Sequence, residues 1–162
     1  MNRTTLLLGA LALLPAAASA QTETGSFAVT ASVESVVAFS SPSPLEFGSI
    51  VPGTPTTIAP AAGGSIMLSY NVPATVTVSA SALTNGVITL PVTYACAQDA
   101  DAAAEEPTTF TCGTGYAATL VSNAPPTRWF YVGGSIADSG TALAPAGDYA
   151  GTVTLTASFD TF

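Results

Sequence analysis

The stretch TVTLTASF, residues 152–159, alternates hydroxyl and apolar side chains without a break. Successive side chains of a β-strand point to opposite faces, so Val153, Leu155 and Ala157 would share one face and the threonines the other. A helix would scatter the same residues around its axis. The stretch therefore predicts a strand with one buried and one solvated face.

The same alternation recurs toward the N-terminus. Further strands are predicted at 27–39, 45–48, 66–72, 76–82, 88–94, 110–112, 118–120 and 129–131. Asn85-Gly86 is a strong signal for a tight turn between two strands, and no segment after residue 20 has a helical period. About seven or eight short strands predict an all-β fold, an immunoglobulin-like β-sandwich, with a closed barrel as the lesser alternative.

The N-terminus is typical of an export signal. One basic residue, Arg3, precedes the apolar run Leu6–Leu14, and Ala18-Ser19-Ala20 has the small residues that signal peptidase requires. The run is shorter than the roughly 20 residues that span a bilayer, although a retained anchor is the alternative. We expect residues 1–20 to be a cleaved signal peptide and residues 21–162 to form one domain. The mature chain would reach the periplasm, the cell surface or the medium, with no membrane span.

Charge and composition exclude several functions. The chain has a net charge of −8, no histidine, and only two basic residues, Arg3 and Arg128. Nothing could neutralise a row of phosphates, so nucleic acid is excluded as a partner. A Ser-His-Asp triad and imidazole zinc sites are impossible. Asp138-Ser139-Gly140 resembles half of an aspartic-protease pair but has no second copy, so we expect no enzyme, no catalytic or metal residues and no cofactor.

Cys96 and Cys112 are the only cysteines. In an oxidising compartment this even count predicts a disulfide. The loop between them contains an acidic segment, residues 99–106. Calcium binding by these carboxylates is conceivable, but their spacing matches no known calcium loop, so a solvated acidic loop is the favoured interpretation.

Several motifs resemble known exported domains. Leu45-Glu46-Phe47-Gly48-Ser49-Ile50, Gly64-Ser65-Ile66-Met67-Leu68 and the closing stretch GDYAGTVTL (147–155) resemble, in order, elements of spore coat protein U-like domains. Those domains include the archaic chaperone–usher pilins. The stretch FYVGG, residues 130–134, is similar to a late element of a neighbouring uncharacterised family of exported bacterial β-sandwich proteins. The cysteines lie further along the chain than in typical coat-U domains, which favours the uncharacterised family.

The pilin resemblance implies a way of assembling. Such a sandwich lacks one strand, and the N-terminal extension of the next subunit fills the resulting groove. Residues 26–39 have the character of a donor strand, with Phe27, Val29, Ala31 and Val33 as its candidate anchors. The alternative is that 26–39 is the first strand of its own domain. Both require one apolar face, so the sequence leaves both open.

Three functions follow from these observations. The first is a structural subunit of a cell-surface fibre or coat, which would self-associate or join another surface subunit and use a periplasmic chaperone. The second is a self-complete secreted sandwich that binds a protein or polysaccharide. The third and weakest is a small outer-membrane barrel, suggested by the terminal Phe162 but lacking aromatic girdles.

Overall fold

The computed structural model describes residues 25–119 and 126–159. The predicted signal peptide, residues 1–20, and the terminal Phe162 lie outside the described residues. The chain divides into two compact units, residues 1–32 and 33–162, which we describe separately. Of the first unit, residues 25–32 are described; they form neither helix nor strand, and their side chains are exposed.

Strands account for most of the regular secondary structure in the second unit. In its described part these are β1 (Val37–Ser43), β2 (Thr56–Ile58), β3 (Gly64–Tyr70), β4 (Ala74–Ala80), β5 (Leu83–Asn85), β6 (Ile88–Leu90), β7 (Thr93–Asp99), β8 (Thr108–Phe110), β9 (Tyr116–Ala118), β10 (Thr127–Ile136) and β11 (Val153–Ser158). One turn of 3₁₀ helix, Pro60–Ala62, follows β2, and a short helix α1, Asp138–Thr141, follows β10. None of the helices in the described residues is long and apolar enough to cross a bilayer.

The strands form two main antiparallel sheets. The larger has the order β1-β3-β10-β7-β8, and β2 pairs with the C-terminal part of β10. The smaller has the order β11-β4-β9. A separate hairpin pairs β5 with β6.

The two sheets pack face to face around one core. Leu68 and Phe130 from the larger sheet contact Val76 from the smaller sheet, and all three are at most 1% exposed. Burying a side chain of this size stabilises the fold by about 1.5–3 kcal/mol. The predicted all-β sandwich is confirmed.

One side of the sandwich is closed by covalent and aromatic contacts. Cys96 and Cys112 form the predicted disulfide, with their Cα atoms 5.4 Å apart. The chain crosses here from β8 in the larger sheet to β9 in the smaller. The rings of Phe110, Tyr116 and Phe130 meet beside the crossing, with centroids 5.4–6.1 Å apart. The disulfide and the three rings therefore connect the two sheets on this side.

The local backbone explains why glycine occupies positions 86 and 133. Gly86 begins the two-residue turn Gly86-Val87 between β5 and β6 with φ +61°, so the predicted tight turn is present, one residue later than Asn85-Gly86. Gly133 lies where β2 meets β10. A Cβ atom added there would lie 2.3 Å from the carbonyl oxygen of Ile58, which explains why the FYVGG stretch needs glycine.

The alternating stretch 26–39 does not form one continuous strand. Pairing with β3 begins only at Val37, and the described residues before it, 25–36, are in neither helix nor strand. Alternation predicts which side chains share a face, whereas a strand also needs a neighbour for its backbone. Of the stretch 26–39, only the last three residues belong to β1.

Other predicted boundaries also change. Residues 45–48 form a loop, because Gly48 turns the chain with φ +66°. Pro42 does not end β1: the strand lies at a sheet edge, where proline is tolerated, and its register shifts between Ser40 and Ser43. Pro91 splits the predicted strand 88–94 into β6 and β7.

Candidate functional site

The side of the sandwich opposite the disulfide is open. The edge strands there are β1 of the larger sheet and β11 of the smaller one. Among the described residues, β1 pairs only with β3 and β11 only with β4. Each edge therefore has backbone N–H and C=O groups available to another strand.

An apolar cavity lies between these two edges. It has a volume of about 300 Å³, and its lining includes Leu45, Ile66, Phe130, Val153 and Leu155. These residues come from both sheets and from the loop after β1. We call this cavity the edge groove.

The burial along β11 shows how far the core is covered. The inward-facing residues of β11, Val153, Leu155 and Ala157, are only half-buried. Their neighbours on β4 are different: Val78, opposite Leu155, and Val76, opposite Ala157, are at most 1% exposed. The core is thus complete at its centre and incomplete along its open side.

A tyrosine ties the two sheets together beside the edge groove. The hydroxyl of Tyr94 on β7 donates a hydrogen bond to the backbone oxygen of Ser81, just after β4, at 2.7 Å. Tyr94 also lines the groove, and burial raises its pKa. The tie holds the two walls at a defined separation, so the groove is part of the folded domain.

The candidate anchors of the predicted donor strand are exposed. Phe27, Val29 and Val33 are each more than 80% exposed, and Ala31 is exposed as well. Isolated exposed apolar residues are ordinary on protein surfaces. A row of apolar side chains at every second position is a different feature, because it matches one face of a strand.

Asn71 holds the chain at the start of β1. Its Nδ2 donates to the backbone oxygen of Glu34 at 2.7 Å, and its Oδ1 accepts from the N–H of Val36 at 2.6 Å. Sequence reasoning missed this residue, because a single asparagine 35 positions away carries no local signal of the contact.

The acidic loop is bound to the outer face of the larger sheet. The hydroxyl of Tyr131 donates to the backbone oxygen of Asp101 at 2.8 Å, and Ala104 packs with Tyr131. Carboxylate oxygens of Asp99 and Asp101 accept from N–H groups of their own loop. Within residues 25–119 and 126–159, no three His, Cys, Asp or Glu side chains are grouped so as to hold a metal ion. Burial, and then the nearby Asp99 and Asp101, raise the pKa of Tyr131.

The Asp138-Ser139-Gly140 tripeptide lies at the start of α1. One carboxylate oxygen of Asp138 accepts from the N–H of Ser139 at 2.7 Å, and the Asp138 backbone oxygen accepts from the hydroxyl of Thr141. These contacts shape a single helical turn.

Comparison with known proteins places the sandwich in a family. Residues 37–159 match a family described as Domain of unknown function (DUF4402). The match begins at the first residue of β1 and ends one residue after β11, so it spans both sheets. No curated protein matches the chain.

Proposed function

The chain belongs to the DUF4402 family, and we propose that this member is an exported structural subunit of a cell-surface fibre or coat. In this proposal, residues 27–33 of one copy enter the edge groove of the next copy and complete its sandwich. The proposal rests mainly on the core along β11, which is incompletely covered. The same chain has an exposed row of apolar side chains at residues 27–33 that could cover it.

Residues 27–33 match β11 in length and in the spacing of their side chains. Seven residues in strand conformation span about 20 Å, and alternate side chains lie about 6.6 Å apart. β11 has six residues, and its half-buried side chains are spaced by the same two-residue repeat. The groove would therefore receive the side chains of Phe27, Val29, Ala31 and Val33 at the same spacing as the half-buried side chains of β11.

Backbone pairing would supply the rest of the contact. An added strand forms main-chain hydrogen bonds with a free edge, and its alternate side chains fill pockets beneath it. Within the part of the chain that the structure describes, β11 pairs only with β4, so its other edge is available, and the groove lies directly beside it. Because donor and acceptor are different segments, the contact is head-to-tail and propagates from copy to copy.

Export and partners are part of the same proposal. The disulfide is compatible with an oxidising compartment, and residues 1–20 would direct the chain there. Before assembly the exposed apolar row and the edge groove would both favour aggregation, so we expect a periplasmic chaperone to cover one of them. We expect no enzymatic activity, since the chain has no histidine or lysine to act as a base.

Material sheared from the native cell surface provides the direct test. Electron microscopy should show fibres or a coat containing this chain, and the material should resist mild SDS. Deleting residues 21–35 should abolish the high-mass material while leaving a folded monomer. A chain that remains monomeric with its N-terminus intact would refute the proposal and favour a self-complete secreted module.

A further inference from the structure

A second cavity brings together two motifs that are about 100 residues apart in the sequence. One wall comes from the loop after β1, which contains Leu45-Glu46-Phe47-Gly48, and the other from residues 144–149, which contain Gly147-Asp148-Tyr149. The cavity has a volume of about 660 Å³, within the usual range for small-ligand sites. We call it the loop cleft. It adjoins the edge groove, with which it shares Leu45, Phe47 and Leu83.

The loop cleft combines aromatic rings with carboxylates. Phe47 and Tyr149 are half-buried, so each ring is accessible in part, while Glu46 and Asp148 are exposed. Among the described residues, none that lines the cleft is basic. The walls therefore provide apolar ring surfaces and strong hydrogen-bond acceptors of negative charge.

Local contacts hold both walls in place. The N–H of Gly53, at the end of the first wall, donates to Oγ1 of Thr141 at 3.0 Å, and Thr141 is almost fully buried. On the second wall, the hydroxyl of Tyr149 donates to the backbone oxygen of Pro145 at 3.0 Å. Thr84 and Ala150 exchange two backbone hydrogen bonds of 2.8 and 3.0 Å, which fix the end of that wall to β5. A pre-formed cleft loses less entropy when it binds a ligand.

We propose that the loop cleft binds a neutral oligosaccharide. A sugar ring has one face of C–H groups, which packs on an aromatic ring, and an edge of hydroxyl groups, which donate to carboxylates. Glu46 and Asp148 accept hydrogen bonds from these hydroxyl groups, and Phe47 and Tyr149 contact the ring faces. Anionic sugars and phosphates are disfavoured, because two carboxylates and no base face them.

A peptide ligand fits the cleft less well. An extended peptide is bound largely through main-chain pairing with a sheet edge, and the free edge lies along the edge groove. A cationic peptide would be drawn by charge alone, and its binding would weaken steeply as salt is raised. The combination of ring surfaces and acceptors favours the saccharide.

The test uses the full mature chain with Val29→Asp and Val33→Asp, so that assembly does not interfere. Cellotetraose, xylotetraose, maltotetraose and laminaritetraose are titrated to millimolar concentration while the backbone amide NMR signals are recorded. We expect at least one tetraose to shift the signals of residues 45–50 and 145–149. Because this reads binding by a monomer, its result is independent of the fibre proposal.

Isosteric variants identify the site. Glu46→Gln and Asp148→Asn should each weaken binding about tenfold or more, since a hydrogen bond to a charged group contributes about 1.5–3 kcal/mol. Glu105→Gln, a matched change in the acidic loop, should leave the affinity unchanged. Tetralysine is titrated in parallel to represent a cationic peptide. The proposal is overturned if no tetraose binds, if only tetralysine binds, if the shifts lie elsewhere, or if both cleft variants bind normally.

Discussion

Asn71 hydrogen-bonds both backbone groups of Val36, one through its side chain and the other through its own backbone. Oδ1 of Asn71 accepts from the N–H of Val36 at 2.6 Å, and the backbone N–H of Asn71 donates to the Val36 oxygen at 3.0 Å. A third bond runs from Nδ2 to the oxygen of Glu34. We call these three hydrogen bonds the Asn71 clamp. The clamp lies one residue before β1, where pairing with β3 begins.

Removing the clamp should destabilise the domain. Asn71→Ala deletes two side-chain hydrogen bonds, and we expect a loss of about 1–3 kcal/mol in the free energy of unfolding, measured by urea denaturation. Asn71→Asp keeps the acceptor for Val36 but places a carboxylate oxygen against the Glu34 backbone oxygen, so it should also destabilise the domain. An Asn71→Ala variant with an unchanged urea midpoint would contradict a structural role for the clamp.

Assembly should depend on the apolar face of residues 27–33. Val29→Asp with Val33→Asp places two charges in the predicted apolar contact, where unpaired charges are costly. High-mass material should disappear, as measured by sedimentation after mild SDS treatment. Thr30→Asp with Ser32→Asp adds the same charge to the opposite face of the strand and should leave assembly intact. Equal effects of the two pairs would show that charge, and not the apolar face, controls assembly.

Reducing the disulfide should weaken the closed side of the sandwich. Cys96 and Cys112 are 16 residues apart, and closing a loop of that size stabilises the fold by about 3 kcal/mol in the chain-entropy description. The Cys96→Ser, Cys112→Ser double variant should lose a similar amount in urea denaturation. Adding a reductant should lower the midpoint of the parent chain and leave that of the double variant unchanged. A parent chain indifferent to reductant would show that the bond contributes little.

Alkaline pH should destabilise the domain through Tyr131. Its pKa in the folded chain is raised by burial and then by Asp99 and Asp101. The neutral phenol therefore contributes stability that is fully present below the unfolded pKa of about 10 and is lost as pH rises through the higher folded pKa. Thermal unfolding followed above pH 9 should show this fall, and Tyr131→Phe should flatten it.

Tyr94 provides a second contribution of the same sign. Burial raises its pKa, and its hydroxyl donates to Ser81. The variant with both Tyr94→Phe and Tyr131→Phe should therefore have a flatter alkaline profile than either single variant. An alkaline fall that is identical in the parent and the double variant would exclude both phenols as its cause.

Local patterns in the sequence were sufficient to predict several features of the fold. The alternation at 152–159 correctly predicts β11, Asn85-Gly86 marks the β5–β6 turn, and the two cysteines pair as expected. The strand and the turn depend on patterns within a few consecutive residues, and the disulfide follows from the number of cysteines in the chain.

Features made by distant residues could not be predicted in this way. The alternation continues through 26–36, yet pairing begins at Val37, because alternation does not specify a partner for the backbone. The Asn71 clamp and the loop cleft join segments 35 and about 100 residues apart. The open side depends on which strands end at the sheet edges, and that order follows from the whole topology.

The most direct test of the central claim is a peptide titration. A synthetic peptide of residues 25–35 is added to the full mature chain carrying Val29→Asp and Val33→Asp, and the thermal unfolding midpoint is recorded. Binding to the edge groove should raise the midpoint, with a stabilisation of about 2.7 kcal/mol at a hundredfold excess over Kd. The same peptide with aspartate at positions 29 and 33 should have no effect, and Leu155→Glu in the groove should abolish the response. A midpoint that is unchanged by the native peptide at millimolar concentration would contradict the account.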